Sequence, residues 1–138
     1  MSVLIDTSVW SAAFRRPVGP IVAELDRLVR AGSAKIIGPV RQEALQGFRR
    51  TQDFEQVRSR LGAFVDVPLH RDDYEQATIY FNLCRSKGVQ GSNTDFLLCA
   101  VSASRAMPIF STDKDFELFA QHFPVRLHKV NERSNAGR

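Results

Sequence analysis

Short apolar runs alternate with longer stretches of helical periodicity along this chain. Val3, Leu4 and Ile5 form the first run, stopped by Asp6, and predict a buried strand. Asp6, Thr7 or Ser8 can N-cap a helix over 9–14, which Arg15, Arg16, Pro17 and Gly19 end. Ile21, Val22, Leu25, Leu28 and Val29 follow the spacing of a second helix, closed by Gly32. A second strand over 35–37 stops at Gly38 and Pro39. Pro39 suits the first turn of a third helix, whose stripe is Val40, Ala44 and Phe48. Residues 51–62 read as a polar covering helix and 64–68 as a strand ended by proline. Asp72 or Asp73 opens a long helix with Tyr74, Ala77, Thr78, Phe81 and Cys84 as its buried face and Gly88 as its stop. Ser92 to Asp95 has the S-x-x-D form of a capping box, ahead of a helix carrying Phe96, Leu97, Ala100, Val101 and Ser104. A fourth strand covers 108–111, Phe116, Phe119, Ala120 and Phe123 share one helical face, and 125–127 reads as a final strand. Beyond Val130 the chain is polar and aperiodic, which predicts a frayed end.

Strands alternating with helices predict an α/β fold. The expected form is a three-layer α/β/α sandwich with a central, mostly parallel sheet of four to five short strands. The 138 residues correspond to one domain. Its expected extent is 1–130, with 131–138 as a flexible C-terminal tail. A hydrophobic content of 43% and a charged content of 25% are those of a soluble globular protein. No apolar run approaches a membrane span, and no basic segment precedes an apolar one at the N-terminus, so a cytoplasmic protein is expected. Cys84 and Cys99 sit among apolar residues as small core side chains rather than a disulfide. His70, His122 and His128 are scattered, which argues against zinc.

The candidate chemistry lies in the acids. In a βαβ unit a helix begins at the edge where the preceding strand ends, and ligands collect outside those carboxyl ends. Asp6 and Asp113 end strands, Asp95 lies in the first turn of a helix, and Glu43 is one turn into the helix after the second strand. Local topology therefore sets four acids on one rim, with Asp115 a fifth candidate. The bland alternatives are a cap for Asp6 or Asp95 and a solvated surface Glu for Glu43, where Gly47 four residues on leaves room for a ligand. Two like charges about 4 Å apart repel by roughly 4 kcal/mol at an effective dielectric near 20. Such a cluster needs either protonation or a cation. Carboxylates without His or Cys nearby select Mg²⁺ or Mn²⁺, which can deliver a bound water and neutralise charge on a phosphoryl oxygen. A net charge of +4 weakly favours a polyanionic partner, and phosphodiester hydrolysis unites the two features.

These residues resemble the PIN-domain ribonucleases, and within them the VapC toxins of type II toxin–antitoxin systems. The resemblance spans nearly the whole chain. It rests on Leu4-Ile5-Asp6-Thr7-Ser8, Glu43 on its helix, Ala77 through Lys87-Gly88, Asp95 followed by Leu97 to Ala100 and Ala103, and Ser111-Thr112-Asp113-Lys114-Asp115-Phe116. It implies a PIN-like sandwich that cleaves RNA endonucleolytically with Mg²⁺. Asp6, Asp95 and Asp113 would be metal ligands, joined by Asp115 from the late acidic motif. Glu43 would complete the cluster, as a ligand through water or by orienting the attacking water, and Ser8 and Ser111 would support the metal or a phosphate. Implied partners are an RNA substrate, a second copy in a homodimer, and a small antitoxin. Asn93-Thr94 departs from the more apolar approach expected before Asp95.

Rival readings remain open at this point. A haloacid-dehalogenase-type phosphatase would want a second Asp where Ser8 stands, and a response-regulator receiver would want paired early acids and a late Lys-Pro. A non-catalytic PIN-like binding module and a PIN nuclease of RNA processing outside any toxin system are closer alternatives. Arg15, Arg16, Arg49, Arg50, Arg85, Lys87 and Lys114 are candidates for holding RNA, each with a plain solvated-charge alternative.

Overall fold

In the computed structural model, residues 1–130 are described, and the tail expected at 131–138 lies outside them. The order is β1 (Val3–Ile5), α1 (Thr7–Arg15), α2 (Pro20–Arg30), β2 (Ala34–Ile36), α3 (Gly38–Leu45), α4 (Thr51–Leu61), β3 (Val65–Asp66), α5 (Arg71–Ser86), α6 (Asn93–Arg105), β4 (Ile109–Phe110) and α7 (Asp115–His122). The four strands form a parallel sheet in the order β3-β2-β1-β4. Leu4 pairs with Lys35 on one side and Ile109 on the other, so β1 lies at the centre. All three residues of β1 are buried, as a doubly covered parallel strand requires.

From β1 the chain steps outward to β2 and β3, then returns to place β4 on the opposite side of β1. Right-handed crossovers put α1–α4 on one face and α5–α6 on the other. The helix contacts follow that division, with α1 packing on α2 and α3, α3 on α4, and α5 on α6. The reversal of strand order falls between the carboxyl ends of β1 and β4, where a crevice forms in sheets of this kind. Arg41 of α3 secures the outer edge, donating to the Asp66 carboxylate at 2.7 Å and to the carbonyls of Leu61 and Phe64 at 2.9 and 3.1 Å.

Gly91 fixes the opposite flank. A Cβ there would stand 2.7 Å from the Phe119 ring and 2.9 Å from the Phe96 ring, so only glycine admits this approach. It seats the start of α6 against the ring cluster of Phe96, Phe116 and Phe119, with centroids 5.2 and 5.4 Å apart.

Three expectations are corrected. The buried stripe of α5 is Asp73, Ala77, Tyr80 and Cys84, while Tyr74, Thr78 and Phe81 are exposed. Packing on α6 selects the stripe adjacent to the one the apolar pattern suggests. Helix α3 ends at Leu45, so Phe48 lies beyond it, and Gly47 at φ +91 terminates the helix instead of sitting inside it. The strand expected at 125–127 is reduced to one bridge, Leu127 to Ile109, beside the four paired strands. Cys84 and Cys99 are buried free thiols as expected, and burial pushes both up. Among the described residues no helix is long and apolar enough to cross a membrane.

Candidate active site

Asp6 follows β1 and occupies the N-cap position of α1, yet its side chain makes no cap hydrogen bond. The capping reading therefore accounts for its place and not for its carboxylate. That carboxylate is buried, at 5% exposure, and turns to the neighbouring strand end. Ser8 Oγ donates to its Oδ2 at 2.7 Å and Ser111 Oγ to the same oxygen at 2.8 Å. The two hydroxyls lie 3.1 Å apart, across a sequence separation of 103. Oδ1 accepts nothing among the described residues and keeps access to solvent.

Backbone donors extend this unit into the β4–α7 loop. The Thr112 N–H donates to Ser8 Oγ at 3.0 Å and the Asp113 N–H to Ser111 Oγ at 3.0 Å. Asp113 Oδ1 in turn accepts from the Asp115 N–H at 2.9 Å, at the start of α7. The network engages Asp115 through its backbone rather than its carboxylate.

Asp95 is reached from the other face of the sheet. Its carboxylate accepts from the Ser92 N–H at 2.9 Å while its own N–H donates to Ser92 Oγ at 3.1 Å, so the capping box is real. Burial pushes this carboxyl above the usual aspartate range, and the charges of Asp6 and Asp113 push it further, against the Ser92 hydrogen bonds. One residue is thus both a cap and a member of the acidic group.

Glu43 projects from α3 and accepts from Thr7 Oγ1 at 2.9 Å, next in sequence to Asp6. Sequence reasoning passed over Thr7 in this role. The signal was its place directly after a strand-ending acid.

Asp6 and Asp113 are linked through Ser111, the charges of both act on Asp95, and Glu43 is tied to Thr7, the residue after Asp6. Asp6, Asp95 and Asp113 lie at the N-termini of α1, α6 and α7, where the positive ends of the helix dipoles offset carboxylate charge by about 0.3–1 kcal/mol each. Among the described residues no three Asp, Glu, His or Cys side chains already close on a point that would hold a metal ion. The all-oxygen donor set and the open Oδ1 of Asp6 nonetheless fit a hard, hydrated cation, which needs one or two direct carboxylates and keeps several waters.

A profile of the PIN domain family matches residues 3–121, which include every acid of this group. Ribonuclease VapC6 of Mycobacterium tuberculosis is 28% identical over 96 residues, covering 67% of this chain and 76% of that protein. Among solved structures, VapBC2 from Rickettsia felis, bound to a DNA fragment from its promoter, superposes with a TM-score of 0.76. The identity is 12%, over 95% of this chain and 100% of that one. VapBC-5 from Mycobacterium tuberculosis, of the VapBC family of toxin-antitoxin systems, gives a TM-score of 0.66 at 17% identity, over 94% and 98%. At these identities the two structures speak for the fold alone. The profile covers the sheet, the switch point and the acids together, and the chain belongs to the PIN domain family.

Proposed function

We propose that this protein is a Mg²⁺-dependent endoribonuclease, with Mn²⁺ able to substitute, and the toxin of a type II toxin–antitoxin pair that inhibits translation or growth. The observation that carries the reading is the Asp6 carboxylate, braced on one oxygen by two serines and open on the other, near enough for its charge, with that of Asp113, to act on Asp95. Asp6, Asp95 and Asp113 would hold the ion, with Asp115 beside them. A divalent cation bound there supplies an activated water and a counter-charge for the phosphoryl oxygen. Ser8 and Ser111 hold Asp6 in one orientation, and the Thr7 hydroxyl fixes Glu43 so that its other oxygen can orient a water. The relatives' names support a ribonuclease and a small antitoxin partner. An RNA substrate and a second copy in a homodimer complete the reading.

Purified protein should cut single-stranded RNA in Mg²⁺, stop on addition of EDTA, and resume with Mg²⁺ or Mn²⁺. Asp6→Asn should lose more than about a hundredfold in rate with its circular dichroism unchanged, since even outer-shell changes at metal sites cost 10–100-fold. Expression of the parent, and not of Asp6→Asn, should arrest growth. Asp6→Asn and Asp95→Asn variants that both cut as fast as the parent would overturn the reading.

A further inference from the structure

A cleft of about 380 Å³ opens at the same carboxyl edge of the sheet. It lies between the start of α2, the β4–α7 loop and the segment that follows the Leu127 bridge. Asp113 belongs to both places, lining this cleft while its N–H binds the Ser111 hydroxyl that braces Asp6. The cleft's chemistry is more mixed than that of the acidic corner. Lys114 and Lys129 stand on its rim with Asp113 and Glu117, all four exposed, and among the described residues neither lysine has an acidic partner within 4 Å. Ile21 and Leu127 give it an apolar wall.

That wall is held in place. His128 Nε2 meets Glu24 Oε2 at 2.5 Å, and Arg27 Nε donates to the other Glu24 oxygen at 2.6 Å. The Arg27 hydrogen bond, working against burial, holds the Glu24 carboxyl below its usual range, so it stays charged beside His128. The His128 N–H also donates to the Ile109 carbonyl at 2.8 Å. The segment that presents Lys129 is thereby tied to both α2 and β4.

We infer that this cleft is a nucleotide subsite, in which one residue of a single-stranded RNA, adjacent to the bond cut at the acidic corner, lies against the apolar wall with its phosphate between Lys114 and Lys129. The volume is at the lower end for small-ligand sites, which suits one nucleotide and not a helix of RNA. An apolar wall, the hydroxyls of Ser111 and Thr112 and two lysines outside any ion pair match a base, a sugar and a phosphate in turn, with Asp113 and Glu117 as the acids of the lining. The inference rests on the nuclease reading and extends it to the hold on the substrate.

The test is a Lys114→Ala, Lys129→Ala double variant beside an Arg60→Ala, Arg71→Ala control that removes the same charge elsewhere. Binding of a fluorescent single-stranded RNA is measured in EDTA, so that no cleavage intrudes, across a range of salt. The lysine variant should bind about tenfold more weakly. Its slope of log K against log salt should be shallower by about 0.7, the figure for one lost phosphate contact on a single strand. Its KM should rise with kcat within about twofold, and the control should follow the parent. A lysine variant with the parent's affinity, slope and KM overturns the inference, and an inactive Asp6→Asn in the same assay leaves the nuclease reading standing. A parent that neither binds nor cuts RNA ends both.

Discussion

Asp95 shows how one side chain serves folding and chemistry in opposite directions. Its hydrogen bonds with Ser92 start α6, while burial and the charges of Asp6 and Asp113 raise its pKa above that of the unfolded chain. The folded state therefore holds the Asp95 proton more tightly than the unfolded state. Its contribution to stability is fully present below the ordinary aspartate range and is lost as pH rises through the raised value. At neutral pH the charged carboxylate weighs against the fold. Asp95→Asn keeps an oxygen for the Ser92 N–H and removes the charge. It should melt above the parent at pH 7, by a few degrees if the gain is about 1 kcal/mol. The gap should close as pH falls toward the aspartate range. Asp95→Ala also loses the acceptor for the Ser92 N–H, while its own N–H still donates to Ser92 Oγ, and should fall below Asn by about 1 kcal/mol. Added Mg²⁺ should raise the melting temperature of the parent more than that of either variant. Thermal melts by circular dichroism at several pH values decide it, and an Asn variant that melts as low as the Ala variant at pH 7 refutes the charge argument.

Between elements, the join of α5 to α6 is the one that seats Asp95, and it is partly ionic. Arg105 near the end of α6 donates to both carboxylate oxygens of Asp73, at 3.2 and 2.9 Å, and to the Pro68 carbonyl at 2.9 Å. Burial alone would raise the Asp73 carboxyl, but Arg105 and the His70 N–H outweigh it and hold it below its usual range. The stability this pair supplies is present above the ordinary aspartate range and is lost as pH falls through the lowered value. Arg105→Ala should cost about 2–3 kcal/mol at pH 7, below the figure for a fully buried pair because Arg105 keeps some solvent contact. Urea titrations should show that loss shrinking in acid. The elements themselves were legible because apolar runs and 3.6-residue spacing are local signals, and each of β1 to α7 falls on an expected segment, although α3 stops short of Phe48 and the strand expected at 125–127 is a single bridge. Faces were less so: Tyr74 and Phe81 lie one stripe away from Tyr80, and only the packing of α6 chooses between them. The acids of the site were legible from strand ends and helix starts. The Thr7–Glu43 bond, the Ser8–Ser111 contact and the Glu24–His128 tie were not, because each joins residues 36 to 104 apart and depends on the strand order.

For the whole molecule, the misplaced face of α5 has a consequence. Ten large hydrophobic residues are exposed among those described, and four of them, Tyr74, Ile79, Phe81 and Leu83, belong to this one helix. Tyr74 is 52% exposed and Phe81 37%, bordering a cleft shared with Phe96 and Leu97. A helix with more apolar surface than its own core can cover fits a second molecule. Tyr74 lies four residues before Thr78 and Phe81 three after it, so an antiparallel copy crossing at Thr78 sets each Tyr74 against the partner's Phe81, as an isologous two-fold contact requires. The first turns carry Asp72 and Glu75 against one Arg71, and the far end carries Arg85 and Lys87, so the same arrangement opposes unlike charge. The protein should therefore scatter light as a species of twice 15.5 kDa at micromolar concentration. Tyr74→Glu, and more so Tyr74→Glu with Phe81→Glu, should run as monomers; circular dichroism should be unchanged for Tyr74→Glu, the more exposed site, whereas Phe81 also meets the Phe96 ring edge-on at 5.7 Å. A parent that stays at 15.5 kDa, or a charged variant that remains a dimer, would show that α5 is not where two copies meet.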